Sequence, residues 1–254
     1  MAKKKEIATK ETQDLGEFTG QTWGSENVTT EDLIVPKILL MQATSALVAD
    51  GKASPGHFVH SMDKTKLGDK ENPVEIIIFG SYKSWVEYKD DTYLKSYQWT
   101  AENADQEWND TDIDGAEIQR KLIRNYYCLL PKDIESGIPF PMVLSCKGMS
   151  AQAGKWLATK MKMLEMFKKP AASKVFKLTC HVDKNDKGTF QVMDCEDSRD
   201  ATIDEMKAAY MWYQELVKSQ KTVIVDETDE EQTAAAAGPA PTAPMPDGAP
   251  QVQV

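Results

Sequence analysis

The chain has 254 residues, of which 41% are hydrophobic, and its formal net charge is −10. The apolar content suffices for a packed core, but no apolar run approaches the roughly 20 residues that cross a bilayer. The charged first residues also lead into no apolar stretch of a secretory signal. We therefore expect a soluble cytoplasmic protein without a membrane segment.

Acidic residues are concentrated in two stretches of the chain. Residues 100–117 contain seven acids and no base, and residues 226–254 contain six acids and no base. From Cys146 to Lys187, by contrast, ten lysines outnumber three acidic residues. Such a basic region is the kind of surface to which a polyanion binds, despite the negative net charge of the whole chain.

Three regions of the chain differ in composition. Residues 1–28 are polar and lack helical or strand periodicity, so we expect a flexible N-terminal arm. Residues 226–254 change abruptly to acidic residues and then to alanine and proline, which indicates a disordered tail with almost nothing to bury. Residues 29–225 hold the remaining apolar pattern and are predicted to form one domain.

Strand patterns dominate this domain. The apolar run 33–42 contains Pro36, which indicates an edge position or a bulge, and the β-branched run 74–80 is typical of a core strand. Asp90 and Asp91 mark one hairpin turn, and "DKNDKG" marks another. The remaining predicted strands are 81–89, 92–99, 121–130, 139–146, 174–182 and 189–195. About eight strands of this length predict a mainly antiparallel barrel, closed or nearly closed, with attached helices.

The first of two predicted helices covers residues 150–169. One of its faces is apolar, and another carries lysines at intervals of seven residues. The apolar face consists of Leu157, Met161 and Leu164, and the basic face consists of Lys155, Lys162 and Lys169.

The second predicted helix starts at Thr202. Its hydroxyl and the side chain of Glu205 three residues later form the pattern of a capping box. Apolar residues then recur at spacings of three and four, which predicts a packing face against the barrel or against a second subunit. This stripe consists of Ile203, Met206, Tyr210, Tyr213 and Val217.

Catalytic motifs are absent from the sequence. "GMSAQAGKW" places Gly154 and Lys155 at a helix start, but five residues instead of four separate Gly148 from Gly154. Trp156 also replaces the Ser or Thr that would hold magnesium in a phosphate-binding loop. No H-E-x-x-H or G-x-S-x-G motif and no recognisable Ser-His-Asp arrangement occurs. We therefore predict a protein that is not an enzyme and that has no cofactor.

One acidic loop matches part of a calcium-binding loop. Asp110, Asp112, Asp114 and Gly115 occupy its first, third, fifth and sixth positions, but Lys121 stands where the bidentate Glu of the twelfth position is required. An exposed acidic loop is the favoured interpretation, with calcium binding as the alternative. The four cysteines show no C-x-x-C spacing, so we expect reduced, mostly buried thiols and predict no metal site.

Aromatic residues and lysines are interleaved between residues 82 and 99. Because alternate residues of a strand share a face, each strand of this predicted hairpin presents rings and cations together. Rings stack on bases of any sequence while lysines follow the phosphates, which is how proteins bind single-stranded nucleic acid. The alternative, that half of these rings belong to the core, stays open.

Three stretches resemble a family of tailed-bacteriophage genomes: "VPKILLMQATSALVADGKASPGHF", "GIPFPMVLSCKGMSAQAGKWLATKM" and "VFKLTCHVDKNDKGTFQV". The resemblance covers most of residues 30–220. It implies a phage single-stranded DNA-binding protein with an OB-like barrel, in the host cell cytoplasm. It also implies an acidic C-terminal tail that engages replication or recombination proteins, which "DETDEE" (226–231) fits. The chain departs from that pattern by ending in "APQVQV" instead of an acidic tip with a terminal aromatic residue, so a docking role of the tail stays open.

Together these features predict an α+β protein with an OB-like, mainly antiparallel β-barrel, two attached helices and disordered termini. The predicted function is sequence-independent binding of single-stranded DNA in phage replication or recombination. The predicted DNA-binding residues are Lys83, Trp85, Tyr88, Tyr93, Lys95, Tyr97, Trp99, Lys155, Lys162 and Lys169. The alternative is a phage structural or assembly protein that acts through protein–protein interfaces, and a nucleic-acid enzyme is the third hypothesis. A homo-oligomer is open in each case.

Overall fold

A computed structural model describes residues 32–89, 92–111, 115, 117–137, 139–185, 188–218 and 224–225. Within these ranges the chain forms twelve strands and four α-helices. The strands are β1 (Ile34–Val35), β2 (Lys37–Leu40), β3 (Phe58–His60), β4 (Lys66–Gly68), β5 (Val74–Lys89), β6 (Thr92–Gln98), β7 (Asn109–Thr111), β8 (Glu117–Leu129), β9 (Met142–Cys146), β10 (Lys174–Asn185), β11 (Gly188–Asp200) and β12 (Ile224–Val225). The helices are α1 (Ala46–Ala49), α2 (Pro131–Glu135), α3 (Ala151–Met166) and α4 (Ile203–Trp212), and a π-helical turn (Tyr213–Lys218) continues α4.

Ten of the described strands form one curled sheet. Eight of them lie in the order β11-β10-β5-β8-β9-β2-β3-β4, while β6 pairs with β5 and β7 pairs with β8. The β2–β9 pair is parallel and the other pairs of this sheet are antiparallel. The predicted α+β class is confirmed, and the sheet has the shape of a half barrel. Both predicted hairpins, β5–β6 and β10–β11, are present.

Side chains cover the outer edge of β11, where a closed barrel would have another strand. The amide of Gln191 donates to Oε1 of Gln42 (2.8 Å), and Nε2 of Gln42 donates back to the carbonyl of Gln191 (2.9 Å). The amide of Met193 donates to Oγ of Ser150 (3.1 Å). These bonds satisfy three backbone groups of this edge without a strand partner, which hinders pairing of another chain at Gln191 and Met193.

The sheet buries apolar side chains on both faces, because successive residues of a strand point to opposite sides. We call these sides the α3 face and the α4 face, after the helix that covers each. Buried residues of the α3 face include Ile76, Ile78, Tyr126, Phe176 and, from the helix, Leu157. Those of the α4 face include Ile77, Leu129, Val175 and, from the helix, Ala208 and Ala209.

Gly154, in the first turn of α3, has a packing role. A Cβ atom at Gly154 would lie 2.6 Å from the Cβ of Cys146, closer than two side chains can approach. The hydroxyl of Tyr126 donates a hydrogen bond to the carbonyl of Gly154. Gly154 therefore allows α3 to lie directly on the sheet. Leu157, Met161 and Leu164 then pack against the core of the α3 face, as predicted.

The predicted cap of α4 is confirmed. Its apolar stripe, predicted to pack against the barrel or a second subunit, contacts the sheet only in part, through Val217. The amide of Glu205 donates to Oγ1 of Thr202 (3.3 Å), and the amide of Thr202 donates to Oε2 of Glu205 (2.7 Å). Ile203 and Tyr210 are nevertheless 67% and 61% exposed. Glu205 and the small Ala208 and Ala209 face the sheet instead. A bidentate pair between Arg199 and Glu205 (2.6 and 2.9 Å) fixes this rotation of the helix.

Other predictions meet the structure in part. Pro36 interrupts the first apolar run between β1 and β2, but β2 lies between β9 and β3 and is no edge strand. All four cysteines are free thiols, three of them buried. Within the described ranges no helix is long and apolar enough to cross a membrane. The predicted N-terminal arm (1–28) and tail (226–254) lie outside the described residues.

Candidate nucleic-acid interface

The long strands β5 and β8 extend beyond the main sheet as a four-stranded arm. Its residues are 82–89 of β5, 92–98 of β6, 109–111 of β7 and 117–124 of β8. In register, Lys83 pairs with Arg124, and Arg124 pairs with Cys146 of β9, which is buried beneath α3. Lys83 and Arg124 therefore lie on the α3 face of the arm.

An aromatic ring and two cations form a row across this face, which we call the cationic row: Trp99, Lys83 and Arg124. The amide of Trp99 donates to the carbonyl of Lys83 (2.9 Å), which continues the ladder by one residue beyond β6. Nζ of Lys83 lies 4.3 Å from the centroid of the Trp99 ring. Lys83 is exposed, and Trp99 and Arg124 are half-buried. Neither cation has an ion-pair partner among the described residues, so both charges are available to a ligand.

Trp85, which the sequence placed in the stacking platform, is buried in the arm. Its side chain is 2% exposed, its indole N–H donates to the carbonyl of Asn103 (3.1 Å), and Trp108 packs edge-on against it at 5.6 Å between ring centroids. The segment between β6 and β7 folds back over the α3 face of the arm and covers the ring. Trp85 therefore supports the arm, and a base has no access to its faces. Trp108 itself is 59% exposed.

Tyr97 and Lys95 belong to an internal charge cluster around Glu87, whose side chain is only 5% exposed. The hydroxyl of Tyr97 donates to Oε1 of Glu87 (2.9 Å), as does Nε of Arg120 (2.8 Å), and Nζ of Lys95 lies 3.3 Å from Oε2. Burial raises the pKa of Glu87, but these donors outweigh it and hold the pKa below its ordinary value. The cluster therefore holds a buried carboxylate as an ion, with its charge compensated.

Tyr88 and Tyr93 lie together elsewhere in the arm, at its end. Their rings meet edge-on with centroids 6.4 Å apart, and Nζ of Lys121 lies 4.3 Å from the centroid of Tyr88. Lys121 pairs in register with Val86 of β5. Val86 follows Trp85, which lies on the α3 face, and successive residues of a strand point to opposite faces. This second group of rings and cation therefore lies on the α4 face.

The three lysines that were predicted to form the basic face of α3 are exposed. Lys155 directly follows Gly154 in α3. A Cβ atom added at Gly154 would lie 3.5 Å from the Cβ of Arg124. The first lysine of the basic face therefore lies near the cationic row. Lys162 pairs with Glu165 on the same helix (2.9 Å), a contact between exposed groups worth less than about 1 kcal/mol and easily exchanged for a phosphate. Lys169 follows the end of the helix.

Of the three acids in the predicted calcium loop, the structure describes Asp110. Asp110 forms an ion pair with Arg120 (2.9 Å), and the amide of Thr111 and then Arg120 hold its pKa below the ordinary value. Asp112 and Asp114 lie outside the described residues. No cluster of three His, Cys, Asp or Glu side chains suited to a metal ion occurs in the described part of the chain.

The structure thus divides the ten predicted residues into separate groups. The cationic row contains Lys83 and Trp99, and the α4 face carries Tyr88 and Tyr93. The helix α3 carries Lys155 and Lys162, and Lys169 follows its end. The remaining three, Trp85, Lys95 and Tyr97, lie in the supporting interior of the arm or at its rim. Sequence reasoning missed Arg124, Lys121 and Trp108. Extending the alternation of β5 to its partner β8 would have indicated Arg124 and Lys121, but the pairing register was needed to place them.

Comparison with known proteins identifies a family of bacteriophage proteins. Residues 3–223 match the Pam3 phage gp34-like protein family, so the chain belongs to this family. No curated protein and no solved structure matches the chain.

Proposed function

We propose that this phage protein binds single-stranded DNA without sequence preference, during phage DNA replication or recombination. The observation that carries the proposal is the cationic row, in which Lys83 lies 4.3 Å from the Trp99 ring and beside Arg124 in the neighbouring strand. A base would stack on Trp99, a contact worth about 1–3 kcal/mol that tolerates every base. The phosphates would meet Lys83 and Arg124.

The helix α3 extends this surface in the proposed function. Lys155 follows the point where α3 contacts the sheet beside Arg124, and Lys162 lies two turns further along the helix. A strand that leaves the cationic row toward α3 therefore meets further cations. In this proposal the half barrel serves as an OB-like platform, and the exposed part of its arm at the cationic row takes the role of the binding face.

A phage assembly protein is the second candidate, and one observation favours it. The outward side of α4 exposes Ile203, Tyr210 and Met211 by more than 60% each. Large exposed apolar side chains that lie together mark protein contacts more often than nucleic-acid contacts. In the first proposed function, the C-terminal tail is proposed to engage replication or recombination proteins.

Fluorescence anisotropy with a labelled oligothymidine at two salt concentrations tests the proposal. We expect binding that weakens steeply with salt, because each neutralised phosphate releases counterions. The double variant Lys83→Ala and Arg124→Ala should bind more weakly at low salt. Its logarithmic salt slope should fall by about 0.7 for each lost phosphate contact.

The matched control is Lys132→Ala, which removes an exposed lysine from α2, away from the row. It should leave both affinity and salt slope close to those of the parent chain. The proposal fails if the parent chain does not bind the oligonucleotide at low salt. It fails equally if the folded double variant binds as tightly as the control.

A further inference from the structure

The helix α4 has an outward apolar face that no described residue covers. Ile203, Tyr210 and Met211 are 67%, 61% and 63% exposed, and Tyr213 is 38% exposed. The rings of Tyr210 and Tyr213 stack with centroids 6.5 Å apart. Exposed single apolar residues are ordinary, but here four large side chains, two of them stacked, lie on the outward side of one helix and form a patch.

The spacing of this patch is that of a helix–helix contact. Ile203, Met206, Tyr210 and Tyr213 recur at three, four and three residues, which keeps them on one side of a helix that packs along another helix. The opposite side of α4 is already buried, through Ala208 and Ala209, against the sheet. The helix therefore has two apolar faces, of which the fold of one chain uses one.

The charges within the patch indicate which partner it fits. Asp204 and Lys207 form an ion pair (3.1 Å) on the exposed side, so the patch carries both signs and no net charge. A second α4 turned by a two-fold axis carries the same acid and base in the reverse order along the helix. Each Asp204 can then lie beside Lys207 of the other copy, which makes the patch complementary to itself, as in isologous dimers.

We propose that two copies of this chain associate through antiparallel packing of their α4 helices. In this dimer Ile203 of one copy packs against the Tyr210 and Tyr213 rings of the other. Asp204 and Lys207 of both copies form an ion-pair group near the two-fold axis. The proposal does not depend on DNA binding, because α4 covers the face of the sheet opposite to the cationic row.

The test is sedimentation velocity of the full chain over about 1 to 100 µM, a range that detects dimers of micromolar affinity. We expect a dimer for the parent chain. The double variant Ile203→Glu and Tyr210→Glu should be a monomer, because it places like charges in the contact. Each substitution should weaken the dimer by about tenfold or more. Met166→Glu, at a side chain of α3 that is 75% exposed, is the matched control and should remain a dimer.

A charge exchange provides a second measurement that does not remove apolar surface. Asp204→Lys alone should weaken the dimer, and Asp204→Lys together with Lys207→Asp should restore it, because the exchanged patch is again complementary to itself. A parent chain that is monomeric at the highest concentration overturns the proposal and assigns the patch to another occupant, such as residues 1–31 of the same chain. Dimers that persist in the folded double variant also overturn it.

Discussion

The ammonium group of Lys83 lies 4.3 Å from the centre of the Trp99 ring, and the amide of Trp99 donates a hydrogen bond to the carbonyl of Lys83. Main chain and side chain thus hold this ring and this cation together. A cation–π contact at an exposed site stabilises such a pair by about 0.5–1 kcal/mol. The pair is therefore ordered before a ligand arrives, which lowers the entropy cost of binding.

Replacing the two tryptophans of the arm should separate binding from stability. Trp99→Ala should weaken binding of single-stranded DNA by roughly tenfold, since one stacked base contributes about 1–3 kcal/mol, and should change the free energy of unfolding little. Trp85→Ala should instead lower the free energy of unfolding by about 3 kcal/mol, because it empties a site that is 98% buried. Anisotropy titrations and urea denaturation measure the two effects.

The comparison is meaningful only if both variants are folded at the temperature of the titration, which circular dichroism establishes. Equal affinities of Trp99→Ala and the parent chain would remove stacking at Trp99 from the proposed function. A Trp85→Ala variant of unchanged stability would contradict the packing of Trp85 beneath Trp108.

The sequence predicted the hairpin that carries these residues but could not predict which of its rings are accessible. Alternation puts Lys83 and Trp85 on the same face, and Trp99 joins them once the strands pair. It does not reveal that residues 99–108, a stretch rich in acids, fold back over Trp85. That coverage depends on long-range contacts such as the hydrogen bond from Trp85 to Asn103, which no local pattern encodes.

The helices α3 and α4 also differ in how well their buried faces could be predicted from the sequence. For α3 the apolar face was predicted correctly, because Leu157, Met161 and Leu164 do pack against the core, although Trp156 joins them there. In α4 the large apolar residues form one face, and the acidic and small residues form another. It is the second face that packs against the sheet. The bidentate pair of Arg199 with Glu205 draws the acidic face inward, and the small Ala208 and Ala209 let the backbone approach the sheet. Hydrophobic periodicity alone does not predict that Glu205 is buried in a pair with an arginine of the preceding strand.

This Arg199–Glu205 pair should make stability depend on pH in acid. Hydrogen bonds from Arg199, and then from the Thr202 amide, lower the pKa of Glu205 from 4.5 to about 2, against the effect of burial. The folded state thus binds fewer protons than the unfolded state between these values. The stabilisation is complete above pH 4.5 and is lost as pH falls toward 2. We expect a loss of roughly 2 kcal/mol from this group after allowing for the solvent exposure of Arg199.

Urea denaturation of the parent chain and of Glu205→Gln from pH 7 to pH 3 measures this contribution. The variant should be less stable at pH 7, and its stability should fall less steeply below pH 4.5. Glu87 has a lowered pKa as well and contributes in the same direction in both proteins, so only the difference between the two curves reports on Glu205. Parallel curves would show that Glu205 titrates normally in the folded state.

The end of α3 offers a stabilising substitution. Lys168 has a φ of +57°, in the left-handed region, where its amide donates to the carbonyl of Glu165 (2.9 Å). The next amide, of Lys169, donates to the carbonyl of Leu164 (2.9 Å), so the chain closes the helix as a glycine-type cap does, but with a side chain in place.

A left-handed residue other than glycine costs roughly 1–2 kcal/mol. We expect Lys168→Gly to raise the free energy of unfolding by about 0.5–1 kcal/mol, since glycine's greater freedom in the unfolded chain offsets part of the relief. Lys169→Gly removes the same charge one residue later, where φ is not positive, and should lower stability slightly. Thermal unfolding of both variants beside the parent chain decides the matter: a Lys168→Gly protein that melts below Lys169→Gly would contradict the strained cap.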